Sequence, residues 1–321
     1  MESAILGIDV AKQKFDVALR VEQKTFTGKF ATTPAGFGML ERWLVKYGAE
    51  RVHACLEATG TYGEALAEHL YRAGHVVSVV NPAKIKGFAQ SELTRTKTDK
   101  ADAQLIARFC SVMQPEPWQP PAPEVKELQS LVRRLEALQG MLDQERNRLE
   151  TADDIVKESI ERVIKHLQQE IKATRKLIRT HINHHPDLRG KRDLLESIPG
   201  VGPGTSAMIL AEFGDVSRFP DAGSMASFCG LTPRHRQSGS SVRGRSMLSK
   251  TGSSRIRKAL FMPALAAIRY NPAIKAFRER LLASGKHRMI IVGAVMRKLV
   301  YFAFGVLKHG RPFDPSLAAA A

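Results

Sequence analysis

The chain has 321 residues, of which 43% are hydrophobic and 25% are charged, as in a globular protein with two or three domains. Its three cysteines are widely spaced without a CxxC pair, a pattern that supports neither a disulfide framework nor a zinc site and that favours the reducing cytoplasm. The N-terminal residues do not resemble a signal peptide. The longest apolar tract, residues 289–307, is interrupted by Arg297 and Lys298, so we expect a core helix and no membrane partner.

The net charge of +17 is concentrated at the end of the chain. Residues 1–110 carry 15 Lys/Arg and 12 Asp/Glu (+3), residues 111–229 carry 16 and 18 (−2), and residues 230–321 carry 18 and 2 (+16). Nucleic acid is the usual polyanion for so basic a segment, although a solubilising surface or an anionic-lipid patch has the same composition. The cations predicted to bind nucleic acid are Arg234, Arg236, Arg243, Arg245, Lys250, Arg255, Arg257 and Lys258.

The first predicted domain, residues 1–112, begins with three short strands and continues with alternating helices and strands. The strands are expected at residues 4–10, 15–21, 24–30, 51–57 and 76–80. The helices are expected from Pro34 to about Tyr47, near residues 61–73, after Pro82, and from about Thr98 to Cys110. This element order predicts an α/β domain with an RNase H-like fold.

Four acidic residues stand at informative positions in this domain. Asp9 and Glu57 end the first and fourth strands, and Asp99 and Asp102 lie one turn apart at the start of the last helix. Carboxylates that end buried strands are costly unless a positive group neutralises them. Enzymes that cut phosphodiesters often place two Mg²⁺ ions, about 4 Å apart, between such groups. The sequence therefore predicts a nuclease-type site holding Mg²⁺ or Mn²⁺.

The middle of the chain is predicted to be helical. Five prolines make residues 113–123 a linker that cannot be helical. Residues 124–186 then carry apolar side chains at helical spacing among many charges, which predicts one or two long helices. The pattern fits a hairpin within the chain as well as a coiled coil with a partner chain.

The last predicted domain, residues 187–321, is mainly helical. Within residues 195–214, Gly200 and Gly202 flank an apolar residue between two helices, which is typical of a helix–hairpin–helix. The N–H groups of such hairpins suit DNA phosphates, although other hairpins of this kind are only scaffold. Residues 230–258 are predicted to form a basic, flexible loop whose serines suit attack on a phosphodiester or simple contact with phosphates.

Taken together, these motifs resemble one family. They are Gly-Ile-Asp-Val-Ala-Lys at 7–12, Leu-Glu-Ala-Thr-Gly at 56–60, Lys-Thr-Asp-Lys-Ala-Asp at 97–102, the hairpin at 198–207 and the segment 230–244. In this order they resemble the DEDD transposases of the insertion-sequence family numbered one hundred and ten, the RNA-guided bridge recombinases. The likeness extends from about residue 4 to 315.

The resemblance implies a RuvC-like domain whose catalytic, metal-binding quartet is Asp9, Glu57, Asp99 and Asp102. It also implies a transposase domain whose nucleophilic serine follows Gly-Leu-Thr-Pro. That serine matches Ser238, with Ser240 and Ser241 as alternatives.

The implied reaction is site-specific recombination between donor and target double-stranded DNA, through phosphoserine links and a Holliday junction. A structured non-coding bridge RNA would act as the guide. The implied assembly is a homotetramer, a dimer of dimers in which one subunit's quartet meets another's serine. It would act on the bacterial nucleoid.

Three other functions are consistent with parts of the sequence. A RuvC-like Holliday-junction nuclease would hydrolyse DNA with the same quartet and form no covalent intermediate. A non-catalytic architectural protein would combine an inactive nuclease fold with the basic domain. An actin-like kinase or ATPase is disfavoured because its later glycine-rich phosphate loops are absent and the last domain is too basic.

Overall fold

The computed structural model describes residues 4–58, 62–92, 98–238 and 242–316, and for residues 235–238 and 242–246 it describes only the backbone. The chain divides into two compact units, called unit 1 (Met1–Pro120) and unit 2 (Pro121–Ala321). The boundary falls in a proline-rich stretch that contains no helix between residues 114 and 122.

Unit 1 is a mixed α/β unit. Its strands are β1 (Ala4–Val10), β2 (Lys14–Val21), β3 (Lys24–Ala31), β4 (Val52–Glu57) and β5 (Val76–Val80). Its helices are α1 (Pro34–Lys46), α2 (Tyr62–Arg72), α3 (Pro82–Ser91) and α4 (Asp99–Met113). All five strands lie within one residue of the bounds expected from the sequence, since their apolar runs are short and end at turn residues.

The five strands form one sheet in the order β3-β2-β1-β4-β5. The first three strands pair antiparallel, whereas β4 is parallel to β1 and β5 is parallel to β4. An antiparallel meander extended by parallel strands with helical crossovers is compatible with the predicted RNase H-like fold.

Each face of the sheet buries its own core. Leu6 and Ile8 of β1 pack in one hydrophobic cluster, whereas Ile5 packs in another that contains Ile106 and Phe109 of α4. Successive residues of a strand point to opposite faces, so Ile5, Gly7 and Asp9 share the face covered by α4. Asp9 therefore belongs to the α4 side of the sheet.

The first part of the proline-rich stretch is tied to β5. The backbone N–H of Trp118 donates to the carbonyl of Val77 at 2.6 Å, and the Ser78 hydroxyl lies 2.8 Å from the carbonyl oxygen of Glu116. These contacts cover the free edge of the sheet, a surface that otherwise invites pairing with another chain.

Unit 2 is mainly helical. Its helices are α5 (Pro123–Glu150), α6 (Asp154–His184), α7 (Pro186–Glu196), α8 (Pro203–Phe213), α9 (Ala222–Phe228), α10 (Ser254–Ala259), α11 (Phe261–Tyr270), α12 (Pro272–Ala283) and α13 (Arg288–His309), with a 3₁₀ turn at Val216–Arg218. Its strands are β6 (Pro233–Ser238) and β7 (Val242–Leu248).

The two long helices α5 and α6 form a hairpin within the chain. Leu138 and Leu142 of α5 pack with Leu167 and Ile171 of α6 in a small hydrophobic cluster. The three-residue connection 151–153 makes the helices antiparallel neighbours. The apolar seam seen in the sequence is thus buried, at least in part, by the chain's own second helix.

Helix α13 contains the longest apolar tract of the sequence. It is the one helix in the described ranges with the length and hydropathy of a membrane span, and 61% of its apolar window is buried within the protein. Ile291, Val295 and Leu299 lie in the main core of unit 2. This placement confirms the prediction of a core helix.

The segment expected as a flexible loop contains a β-hairpin. Strands β6 and β7 pair antiparallel, with a register shift between Arg234 and Arg236, and Ser238 is paired with Val242. The sequence prediction missed these strands because their residues are mostly polar and show no hydrophobic alternation.

Candidate active site

Helix α4 lies directly against β1 at Gly7. A Cβ atom on Gly7 would lie 2.3 Å from the carbonyl oxygen of Ala103 and 2.3 Å from the backbone nitrogen of Ala107. No side chain fits in that space, so glycine is what permits this close packing. Ala103 directly follows Asp102, so the contact holds the first turn of α4 near the carboxyl end of β1.

The start of α4 is fixed by a side-chain cap. The Thr98 hydroxyl accepts a hydrogen bond from the backbone N–H of Ala101 at 3.2 Å, so the helix begins at Asp99. Asp99 and Asp102 thereby occupy the first turn, where the helix dipole favours negative charge.

The sheet places further acidic residues beside this turn. Ile8 of β1 pairs with Leu56 of the parallel strand β4, so the next residues, Asp9 and Glu57, lie side by side at the carboxyl ends of the two strands. Across the antiparallel pair, Asp9 lies opposite Asp16 of β2. The structure therefore adds a fifth carboxylate to the four that the sequence singled out.

Three of the predicted residues act electrostatically on the fourth, Asp9. Burial of the Asp9 carboxylate, together with the charges of Asp102, Asp99, Glu57 and Asp16, raises its pKa from 3.8 to about 6. Nearby negative charges disfavour ionisation of a carboxyl group. The effect on Asp9 therefore indicates that the other three acidic residues lie near it in the fold.

The quartet has the right ligand chemistry for a hard divalent cation. Carboxylate oxygens are the donors that Mg²⁺ and Mn²⁺ prefer, and a cation would relieve the repulsion that raises the pKa of Asp9. Within the part of the chain that the structure describes, no three His, Cys, Asp or Glu side chains are arranged as a metal site. The carboxylates are near one another without forming a coordination shell.

Two lysines of the sheet pair with acidic residues here. Lys14 Nζ lies 2.9 Å from Asp99 Oδ2, and Lys29 Nζ lies 3.6 Å from Asp16 Oδ1. The hydrogen bond from Lys14 lowers the pKa of Asp99. Asp16 and Lys14 were missed in the sequence, although an acidic residue within the apolar run Phe15–Leu19 is itself a signal of a buried charge.

The predicted nucleophile lies at the end of β6. Its backbone pairs with β7, whereas its side chain is outside the description. The two alternative serines, Ser240 and Ser241, lie outside the described residues. The assignment of Ser238 thus stays a prediction.

Two of the predicted nucleic-acid-binding arginines are engaged inside unit 2. Arg255 Nη2 lies 2.6 Å from Glu136 Oε2, and its Nη1 lies 2.6 Å from Glu212 Oε1. Arg257 Nη1 donates to the carbonyl of Cys229 at 3.0 Å. Both side chains link elements of the fold, so neither can be counted as a free surface cation.

The other six predicted cations fall into two groups: three have exposed side chains, and three have side chains outside the described part of the chain. Arg234, Lys250 and Lys258 are exposed. The side chains of Arg236, Arg243 and Arg245 are outside the description.

The glycine-rich turn between α7 and α8 packs tightly on α11. Gly200 has φ +106°, and a Cβ there would lie 2.8 Å from the Cβ of Ala267. Asn271 donates from its side-chain amide to the carbonyl of Pro199 at 3.3 Å. Gly202, in contrast, has open space around it. The turn is therefore held by the core at Gly200, while its contact with DNA stays a prediction.

Known families match both units. A family model for DEDD transposases of the IS110 type, described as "Transposase", matches residues 6–154, and the model "Transposase IS116/IS110/IS902 family" matches residues 192–279. The pilin gene-inverting protein of Moraxella bovis is 37% identical over 318 residues, covering 98% of both chains. The chain belongs to the IS110 transposase family.

Two other relatives illustrate the breadth of this family. The pilin gene-inverting protein of Moraxella lacunata is 37% identical, again over 98% of both chains. The insertion element IS110 uncharacterized 43.6 kDa protein of Streptomyces coelicolor is 28% identical over 52% of this chain and 40% of its own. As a family member, this transposase is a DNA-recombining enzyme, which agrees with the function predicted from the motifs.

Proposed function

We propose that this transposase is a site-specific recombinase whose acidic quartet binds a divalent cation at the reacting phosphate. The proposal is carried by the placement of Asp9 and Glu57 at the ends of paired strands, beside the acidic first turn of α4, where burial and the charges of Asp102, Asp99 and Glu57 raise the pKa of Asp9. A pKa displaced by several neighbouring groups of like charge is typical of a functional site.

Asp9, Glu57, Asp99 and Asp102 would hold the cation. Mg²⁺ or Mn²⁺ would neutralise charge on a phosphoryl oxygen and favour loss of a proton from an attacking hydroxyl. The chain's own contribution is to fix the carboxylates: Gly7 permits the approach of α4, and the Thr98 cap sets where its first turn begins.

The nucleophile in this proposal is Ser238. Its Oγ would form a bond to phosphorus as one P–O bond of the DNA strand breaks. The serine hydroxyl loses a proton and the departing sugar oxygen gains one, so the phosphodiester energy is kept in the phosphoserine link. Reversal of the step with a different sugar hydroxyl would complete strand exchange.

The proposed substrates are donor and target double-stranded DNA. The resemblance suggests a structured bridge RNA as guide and a tetramer as the active assembly. The names of the Moraxella relatives suggest gene inversion, which is also a site-specific exchange of strands.

Covalent trapping tests the serine step. The full-length protein is incubated with Mg²⁺, the end-labelled DNA that flanks its own gene, and RNA transcribed from that flank, and then denatured for gel analysis. We expect a protein–DNA adduct that is lost in Ser238→Ala and kept in the matched controls Ser240→Ala and Ser241→Ala. Cleaved DNA without an adduct would instead favour the hydrolytic nuclease.

The quartet is tested in the same assay. Asp9→Asn should form no adduct while its nucleic-acid binding is retained. Normal adduct formation by Asp9→Asn would remove Asp9 from the catalytic site and would favour an architectural role for unit 1.

A further inference from the structure

Lys14 places an ammonium group beside the proposed cation ligands. Its Nζ lies 2.9 Å from Asp99 Oδ2, and both side chains are about half exposed, at 45% and 56%. The described carboxylates are not arranged as a metal site, and one of them, Asp99, is already paired with the Lys14 ammonium group. A divalent ion held by the quartet would therefore have to displace Lys14 from Asp99.

The backbone of Lys14 is held firmly, although its side chain extends into solvent. In the turn between β1 and β2, the N–H of Ala11 donates to the carbonyl of Lys14 at 2.9 Å. Thr32 braces the same turn, since its hydroxyl donates to the carbonyl of Ala11 at 3.0 Å. The ammonium group is therefore carried by a long, half-exposed side chain on a backbone that these hydrogen bonds fix beside the site.

The pair between Lys14 and Asp99 is exchangeable. Solvent screens ion pairs between exposed side chains, so breaking one changes an equilibrium only about two- to fivefold. A phosphodiester is also an anionic acceptor, and it suits a lysine ammonium as well as a carboxylate does.

We propose that Lys14 is a positioning residue that exchanges Asp99 for a phosphodiester oxygen of the bound DNA, and thereby frees Asp99 to bind the divalent cation. This inference rests on the proposed metal-binding role of the quartet. In the protein without DNA, Lys14 holds Asp99 and weakens cation binding. When DNA arrives, the same ammonium binds phosphate, so DNA and the cation strengthen each other's binding.

Mn²⁺ binding to the full-length protein, followed by electron paramagnetic resonance with and without duplex DNA, tests this inference without relying on activity. Without DNA, Lys14→Gln should bind Mn²⁺ about two- to fivefold more tightly than the wild type. Added DNA should tighten Mn²⁺ binding in the wild type and do so less in Lys14→Gln, because the coupling between two ligands is reciprocal.

Lys29→Gln is the matched control. It removes the same charge from the neighbouring strand β3, where Lys29 forms its ion pair with Asp16. Lys14→Arg keeps the charge and should keep most of the coupling between DNA and Mn²⁺. The proposal would be overturned if Lys14→Gln and Lys29→Gln tightened Mn²⁺ binding equally and DNA still strengthened Mn²⁺ binding in both. Lys14 would then act only through its general positive charge.

Strand exchange supplies a second readout. At saturating Mg²⁺, Lys14→Gln should mainly raise the DNA concentration needed for half-maximal rate, with Lys14→Arg partly restoring it. Absence of Mn²⁺ binding in the wild type would reject the quartet and this inference together. If Asp9→Asn abolished Mn²⁺ binding but Lys14→Gln left it unchanged both with and without DNA, only the proposed role of Lys14 would be rejected.

Discussion

The carboxylate cluster of unit 1 and the basic segment of unit 2 were both singled out by charge, yet the fold treats them differently. In unit 1, like charges are held together, so that burial and its acidic neighbours raise the pKa of Asp9 to about 6. In unit 2, Arg255 lies between Glu136 and Glu212, and Arg257 binds a backbone carbonyl. Only part of the negative charge in the first region is compensated, by Lys14 and Lys29, whereas part of the positive charge in the second is structural.

The contrast teaches that the number of charges in a segment does not tell how many face a ligand. A protein that keeps like charges together sacrifices stability, which is a common property of functional sites. A half-buried arginine that is satisfied by two carboxylates stabilises the fold instead, and removing it leaves those carboxylates unpaired. Stability and binding measurements can separate these two uses of charge.

The largest effect is expected for Gly7→Val, which targets the packing that gathers the carboxylates. The new side chain would meet the backbone of α4 at 2.3 Å, and no rotamer relieves such a clash. We expect a loss of roughly 3–5 kcal/mol in the free energy of unfolding, measured by urea denaturation. Gly87→Ala is the control: nothing lies within 4 Å of Gly87, so a small gain is expected. Wild-type stability of Gly7→Val would show that α4 is not seated on β1.

Arg255→Leu should cost about 2 kcal/mol of stability, because Glu136 and Glu212 lose their shared partner in a half-buried site. Thermal denaturation should show a lower melting temperature for Arg255→Leu than for the wild type. The control Lys258→Ala, which changes an exposed side chain, should melt like the wild type. If both variants unfold like the wild type, Arg255 has no structural role.

Asp9→Asn should stabilise the protein in a chelating buffer, by about 1–2 kcal/mol at neutral pH after allowing for the half-exposed carboxylate. The pKa of Asp9 is 3.8 in the unfolded chain and about 6 in the folded one, so ionisation disfavours the folded state. The advantage of asparagine should therefore be absent below pH 4, grow between pH 4 and 6, and be complete above pH 6. Melting temperatures of both proteins across this range measure it.

A divalent cation should reverse this difference. Mn²⁺ should raise the melting temperature of the wild type more than that of Asp9→Asn, because ligands that bind the folded state stabilise it. An advantage of asparagine that is equal at pH 4 and pH 7 would contradict the electrostatic account of the carboxylate cluster.

The smallest effect is expected for the exposed lysines of unit 2. Replacing Lys250 and Lys258 by alanine should weaken DNA binding and reduce the slope of log K against log salt by roughly 0.9 per lost phosphate contact. Fluorescence anisotropy at several salt concentrations measures the slope. An unchanged slope would show that neither lysine neutralises a phosphate.

Much of unit 1 was predictable from the sequence. Its strands are short apolar runs bounded by turn residues, and its helices begin at Thr33-Pro34, Asn81-Pro82 and Thr98, which are local signals. Asp9 and Glu57 stood out for the same reason, because a carboxylate at the end of an apolar strand is visible in the chain, and Asp99 and Asp102 open the helix that follows Thr98. The β-hairpin of residues 233–248 was missed because strand pairing between polar segments has no local signature.

By itself, the amino-acid sequence determined the order of strands and helices in unit 1, the four acidic positions and the segment that holds the excess positive charge. Only the tertiary structure decided that Asp16 faces Asp9, that Lys14 binds Asp99, and that Arg255 is held by two glutamates. Local propensity acts between residues a few positions apart, whereas these pairings join residues that are distant in the chain. Their energies depend on distance and burial, which exist only once the chain is folded.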